Sequence, residues 1–255
     1  MKNSRQGRGR VEVKVIVRAG VDAALPCVLV TCEHGGNRVP ADLAHLFRRM
    51  RAALESHRGY DPGALVMARA LARALHAPLV ASTTSRLVVD LNRSLGNASL
   101  WSEATRVLPA EMRDRIVRRH YVPYRRRVDA LVAAAHGAGH PVVHFSSHSF
   151  TPVLRGEVRR ADVGLLYDPA RVAEARLCAA IRADLLLRAP SLRVRRNYPY
   201  AGTSDGLVTS LRKRLAPREY MGIEIELNQA LVSRDPSTWA WLRDAVVASI
   251  ASALV

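Results

Sequence analysis

The chain has 255 residues, of which 49% are hydrophobic, enough to bury the core of one large domain. No apolar stretch approaches the roughly 20 residues that a membrane helix needs, which excludes a spanning segment and predicts a soluble protein. Net charge is +17, nearly all of it arginine; such a field attracts anionic small molecules, while an aromatic content of 5% argues against a base-stacking nucleic-acid surface.

Residues 1–10 are basic and polar and read as a flexible N-terminus ahead of a single domain over 1–255. No apolar signal core follows them, so a cytoplasmic location is expected. Cys27, Cys32 and Cys178 form no C-x-x-C pair and are odd in number, which predicts reduced, mostly buried thiols. Residues 11–17 alternate apolar and polar, as a half-buried edge strand does. Residues 28–32 are a continuous apolar run, the mark of a central strand. A helix is expected from Pro40 through about Glu55. Another starts at Asp61-Pro62-Gly63, where Asp61 suits an N-cap and Pro62 the first position. Pro78 ends that helix and a short strand follows at 79–81. Residues 86–91 read as a strand running into Asn92-Arg93. A long arginine-rich helix spans 111–136, with Pro123 predicting a kink or a division. Strands are expected at 141–147, 163–167 and 220–227, and a short alternating segment at 192–196. Helices are expected at 170–187, 203–214 and 237–253. Strands alternating with helices predict an α/β three-layer sandwich with a mostly parallel mixed sheet, whose ligands lie at the strands' carboxyl ends.

Residues that carry chemistry stand at those ends. His34 follows the strand at 28–32 and precedes Gly35-Gly36, which permit a tight turn and close approach of a ligand. His148 sits at an equivalent place in Val-Val-His-Phe-Ser-Ser-His-Ser-Phe (142–150), with His144 and Ser146 on the same face by alternation. A catalytic zinc takes three protein ligands and keeps one position open. Two histidines leave one place, for which Asp61, Glu33 and Asn37 are all candidates. Glu224 and Glu226 share a face of the third strand, and two carboxylates there are costly unless paired or catalytic. Glu226, nearer the strand end, is expected to act as general base, with Glu224 paired to an arginine. Asn92 and Arg93 suit a substrate carboxylate, which arginine binds through two parallel hydrogen bonds, and Arg86 can join them. The loop 197–203 is expected to close over the substrate, with Asn197 contacting it and Tyr200 donating to a developing oxyanion.

Six segments in order carry a resemblance: Cys-Glu-His-Gly-Gly-Asn-Arg-Val-Pro (32–40), Tyr-Asp-Pro-Gly-Ala (60–64), Ser-Arg-Leu-Val-Val-Asp-Leu-Asn-Arg (85–93), Ser-His-Ser-Phe (147–150), Asn-Tyr-Pro-Tyr-Ala-Gly (197–202) and Glu-Leu-Asn-Gln (226–229). The chain resembles the N-formylglutamate amidohydrolase family, distant relatives of zinc carboxypeptidases and aspartoacylases. The resemblance implies a zinc-carboxypeptidase-like fold and one zinc ion held by His34 and His148. It further implies that Asn92 and Arg93 hold a substrate α-carboxylate and that Glu226 is the base. The wider carboxypeptidase group carries a glutamate three residues after its first histidine; here that place is Asn37. The implied reaction is hydrolysis of a formyl or other small acyl amide on an anionic N-acyl amino acid. Competing expectations are another amide, peptide or ester bond on the same scaffold, or an arginine-rich anion or nucleic-acid binder without chemistry.

Overall fold

A computed structural model describes residues 25–255; the strand expected at 11–17 and the basic segment 1–10 lie outside the described residues. The first half contains β1 (Cys27–Cys32), α1 (Arg51–Leu54), α2 (Ala64–Ala74), β2 (Leu79–Ala81), α3 (Glu103–Arg106), α4 (Ala110–Ile116) and α5 (Val122–Gly137). The second contains β3 (Val142–Phe150), β4 (Val153–Leu154), β5 (Glu157–Val158), β6 (Val163–Leu166), α6 (Val172–Arg188), β7 (Val194–Arg196), α7 (Leu207–Arg212), β8 (Tyr220–Asn228), α8 (Gln229–Val232) and α9 (Pro236–Ala253). One six-stranded sheet runs in the order β2-β1-β3-β8-β6-β7. All its pairings are parallel except β6 with β8. This is the mostly parallel mixed sheet that the alternation of strands and helices implies.

Alternation along the strands sorts their side chains onto two faces. Val30, Cys32, Val143, Phe145, Ile223 and Ile225 face α2, α6 and α9, meeting Met67, Leu71, Ile181, Leu185, Leu242 and Ile250. Fully buried side chains of this size contribute about 1.5–3 kcal/mol each, so this dry face dominates the stability of the sheet. The other face meets α5, α7 and the 87–91 segment; Leu29, Val142 and Tyr220 pack there against Val128, Val132 and Leu207. Helices on both sides make three layers. Towards the carboxyl ends of β1, β3 and β8 this second face turns polar, presenting Thr31, Glu33, His144, Ser146, His148, Glu224 and Glu226, all buried. Register fixes their neighbours: Thr31 lies opposite Ser146, Ser146 opposite Glu224, and His148 opposite Glu226.

Several local expectations are corrected. Residues 86–91 form turns instead of a strand. The Asp90 carboxylate accepts the Asn92 N–H at 2.9 Å and the Asp90 carbonyl accepts the Arg93 N–H at 3.2 Å, local bonds that displace a ladder. Leu87, Val88, Val89 and Leu91 are buried all the same, which is why the stretch reads as a strand. The helix expected from Pro40 to Glu55 is a 3-10 turn, Ala41–Phe47, followed by the single turn α1. The long helix does divide near Pro123: α4 passes into a π-helical turn, Val117–Tyr121, and α5 restarts with the proline in its first turn. Helix α7 begins only after Gly206, so the loop before it is longer than its sequence suggests. Among the described residues no helix is long and apolar enough to cross a membrane, and Cys27, Cys32 and Cys178 are free thiols.

Candidate active site

His34 stands two residues beyond β1, where the chain folds back over the 82–83 segment. A Cβ at Gly35 would lie 2.8 Å from the Ser82 carbonyl oxygen, and one at Gly36 2.7 Å from that of Thr83. The two glycines therefore admit a neighbouring strand exit, not the ligand expected there. The Asp61 N–H donates to the His34 carbonyl at 2.9 Å, fastening the start of the 61–64 turn to the end of β1. Gly63 occupies the N-cap of α2 and no side chain caps that helix. The Asp61 carboxylate is thus free of the capping duty that its place before Pro62 suggests, and it turns towards the histidines.

Asp61 Oδ2 lies 3.3 Å from His34 Nδ1 and 2.9 Å from His148 Nδ1, with the two rings 5.1 Å apart between centroids. One donor atom from each of the three residues falls within 4.8 Å of the others, and all three side chains are buried. The far nitrogens are engaged as well. His34 Nε2 is 2.7 Å from Asp90 Oδ1. His148 Nε2 is 2.9 Å from Ser146 Oγ and 3.1 Å from Glu33 Oε2. Carboxylates behind Nε2 fix each neutral ring with its proton there and its Nδ1 lone pair forward. Two such lone pairs then meet the anionic Asp61 oxygen, a repulsive arrangement unless protons or a divalent cation lie among them. The donor set fits a divalent metal.

The surroundings divide by charge. Burial pulls the His148 pKa down, but hydrogen bonds and charge from Asp61 and Glu33 win and hold it well above the usual histidine range. Burial opposes ionisation of Asp61 and Glu33, yet their histidine partners keep both far below the ordinary carboxylate range. Glu226 is the contrary case. Burial first, then the charges of Asp61 and Glu224, push its carboxyl up to about 8, against His148 and Arg86. Its Oε2 is buried and has no hydrogen-bond partner among the described residues. A buried acceptor left unmet beside an imidazole–carboxylate cluster is what a substrate or its water would satisfy.

The remaining expectations fare unevenly. Glu33 is buried behind His148, bonded to Ser146 (2.7 Å) and to the Tyr124 hydroxyl (2.8 Å), so it backs the ring instead of joining the donors in front. Asn37 is exposed and is not among the three residues whose donor atoms converge. Arg86 spends its fork on Asp90 (2.7 and 3.2 Å) and Asp61 (3.4 Å), so it anchors carboxylates of the chain. Asn92 Oδ1 accepts the Leu207 N–H at 2.7 Å, and its Nδ2 lies 3.4 Å from His148 Nε2. Arg93 donates through Nη1 to the carbonyls of Asn92 and Asp205. Its Nε and Nη2 make no hydrogen bond among the described residues. Glu224 pairs with no arginine among the described residues: burial raises its pKa, the charges of His148 and Arg212 oppose the rise without cancelling it, and Arg212 is bonded to Glu174. Asn197 Oδ1 accepts the N–H groups of Tyr167 and Gly202, so the residue braces its own loop. That loop lies beside the base: a Cβ at Gly164, opposite Glu226 in register, would clash with the Tyr198 carbonyl. Tyr200 is 43% exposed and accepts a hydrogen bond from Arg159 Nη1 at 2.9 Å. Asp90 as the partner of His34, Tyr124 and Arg159 were not anticipated; Ser146 was expected on the face of His148, but not its bond to the ring. The buried i,i+3 pair Tyr121 and Tyr124 in an otherwise basic helix is the one local signal among them.

An α/β sheet with a buried imidazole–carboxylate cluster at its parallel strand ends, and an unmet carboxylate one strand away, has the architecture of a hydrolytic enzyme. The chain belongs to the N-formylglutamate amidohydrolase family, whose model matches residues 26–233, and it is accordingly an amide hydrolase. Its structure is similar to that of gene product Atu2144 from Agrobacterium tumefaciens, with a TM-score of 0.77, 32% identity and 90% of each chain covered. It also shares its fold with N-formylglutamate amidohydrolase from Ralstonia eutropha JMP134, at a TM-score of 0.63 and 21% identity over 91% of this chain and 94% of that one. Among curated proteins none matches.

Proposed function

We propose that the chain is a zinc-dependent amidohydrolase that removes a formyl or other small acyl group from an anionic N-acyl amino acid of the N-formylglutamate type. The observation that carries this reading is the convergence of His34 Nδ1, His148 Nδ1 and Asp61 Oδ2, each histidine braced from behind. His34, His148 and Asp61 would hold the ion, which supplies Lewis acidity to the amide carbonyl and to the attacking water. Glu226 takes the proton from that water and passes it to the leaving amine; a carboxyl held near neutrality suits both halves of the transfer. The free edge of Arg93 orients the substrate α-carboxylate, positioned by Asn92 and Asp205. The Tyr200 hydroxyl accepts from Arg159, which leaves its O–H direction to donate to the carbonyl oxygen as charge develops. Free thiols accord with work in the reducing cytoplasm.

The test joins metal analysis to kinetics. Purified protein should carry about one zinc per chain and release formate from N-formyl amino acids. His148→Ala should lose both metal and turnover. Glu226→Gln should keep the metal and lose on the order of 10²–10⁴ in kcat. An undiminished rate in either variant rejects the assignment.

A further inference from the structure

Arg159 leaves the β4–β5 hairpin, whose neck is closed by its N–H donating to the Pro152 carbonyl at 2.8 Å. Its own carbonyl accepts from Asn228 Nδ2 at 3.1 Å. Asn228 lies two residues beyond Glu226 on β8, hence on the same face and about 7 Å further along the strand. The backbone of Arg159 is thereby tied to the pleat next to the base. The residue is only 8% exposed. The guanidinium sits 4.9 Å from the centroid of Tyr200 and donates to its hydroxyl.

What distinguishes this arginine is the missing counterion. Buried Arg212 is paired with Glu174, and Arg86 with Asp90. Among the described residues no carboxylate stands within ion-pair distance of Arg159. Stacking on a phenol offsets only part of the cost of burying an uncompensated charge, so the site is built for an anion that the chain does not itself provide. Further positive charge is close: His57 is held below the usual histidine range by burial and by the neighbouring charges of Arg58, Arg86 and Arg159. The charge of Arg93 bears on the other carboxylate of β8, Glu224, and that of Arg86 on Glu226. The polar face therefore has two cationic poles, of which Arg93 is the one already assigned to an α-carboxylate.

We infer that Arg159, seated on Tyr200 beyond Glu226, is the specificity-determining residue that receives a second carboxylate, so that the enzyme selects N-acyl amino acids with an acidic side chain over neutral isosteres. The inference rests on the amidohydrolase reading above. It is tested with N-formyl-L-glutamate and its neutral isostere N-formyl-L-glutamine, on wild type, Arg159→Met and Arg159→Lys. A charge-assisted bond predicts that Arg159→Met raises KM for the glutamate substrate roughly 10–100-fold more than KM for the glutamine substrate, any effect through the Tyr200 hydroxyl being common to the two. Arg159→Lys, which keeps the charge without the fork, should retain an intermediate preference. A loss common to both substrates, with their ratio unchanged, overturns the inference and makes Arg159 a brace for Tyr200. Calorimetric titration of the zinc-loaded protein with glutarate and with its monoamide separates the two readings. A preference for glutarate that Arg159→Met abolishes supports the second carboxylate site even without turnover. Equal binding of both ligands by wild type and variant overturns it whatever the reaction proves to be.

Discussion

His144 stands four residues before His148 on the same face of β3, and its neighbours drive it the opposite way. Its ring lies between two hydroxyls, Thr31 Oγ1 at 2.8 Å and Tyr220 Oη at 2.6 Å, where His148 lies between two carboxylates. A neutral imidazole offers one donor and one acceptor, which two hydroxyls satisfy without any charge. Burial, with help from Arg212 and His148 and against Glu33, pushes the His144 pKa down to about 4. Two rings on one strand thus have their protonation pulled apart, one kept neutral as structure and one held among acids as chemistry. The depressed value has a consequence for stability. An unfolded histidine takes its proton near 6.5, so between that value and about 4 the unfolded chain binds more protons than the folded one. Stability is fully present above about pH 6.5 and falls as pH drops towards 4, by about 3 kcal/mol in all. Metal-free wild type should therefore lose more of its denaturation midpoint between about pH 7 and pH 5 than metal-free His144→Gln, which has no such proton to gain. Identical losses in the two proteins would show that His144 is not the neutral, buried ring described.

Between elements, the strongest polar tie is the pair of Glu174 on α6 with Arg212 on α7. Glu174 Oε1 accepts Arg212 Nε at 3.0 Å and the Gly222 N–H of β8 at 2.9 Å, while Oε2 accepts the Asp168 N–H at 2.9 Å. Arg212 in turn donates to the carbonyls of Gly202 and Gly222. One buried pair thus joins two helices, the loop beside Tyr200 and the strand that carries the base. Removing one partner leaves the other as an uncompensated buried charge, so Glu174→Gln should cost on the order of 3–5 kcal/mol in a denaturant titration. The half-exposed pair Arg214–Asp129 is the control, and Asp129→Asn should cost less than about 1 kcal/mol. Equal effects would mean that burial does not set the worth of these pairs. None of this network is legible in the sequence, because an arginine in a chain full of them carries no signal of its partner. Legibility follows how local the cause is. The strands β1, β3 and β8 are visible because central parallel strands are apolar runs, and His34, His148 and Glu226 are visible because they interrupt or end such runs. Asp61 is ambiguous because an aspartate before proline looks the same whether it caps a helix or faces an imidazole. Asp90 and Glu33 as supports of the rings depend on side-chain contacts between segments far apart in sequence, which no local pattern carries. Residues 86–91 misled for the converse reason: their burial shows in the composition, but the Asp90 side chain makes turns of them.

At the scale of the whole molecule the net charge of +17 acts on anything that approaches the open carboxyl ends of the strands. Steering by such a field scales with the charge of the ligand and is screened over about 10 Å at 0.1 M ionic strength. The local cations of the polar face, Arg93 and Arg159, are partly or largely buried and are screened much less. Two components of substrate capture should therefore separate. With rising salt, kcat/KM should fall, and on a logarithmic scale roughly twice as steeply for a dianionic N-formylglutamate as for a monoanionic N-formylglutamine, since Coulomb energy is linear in charge. The selectivity that survives at high salt is then the part that contact with buried arginine supplies. A kcat/KM independent of ionic strength for both substrates would mean that the surface arginines serve solubility alone, leaving recognition entirely to the few cations on the polar face of the sheet.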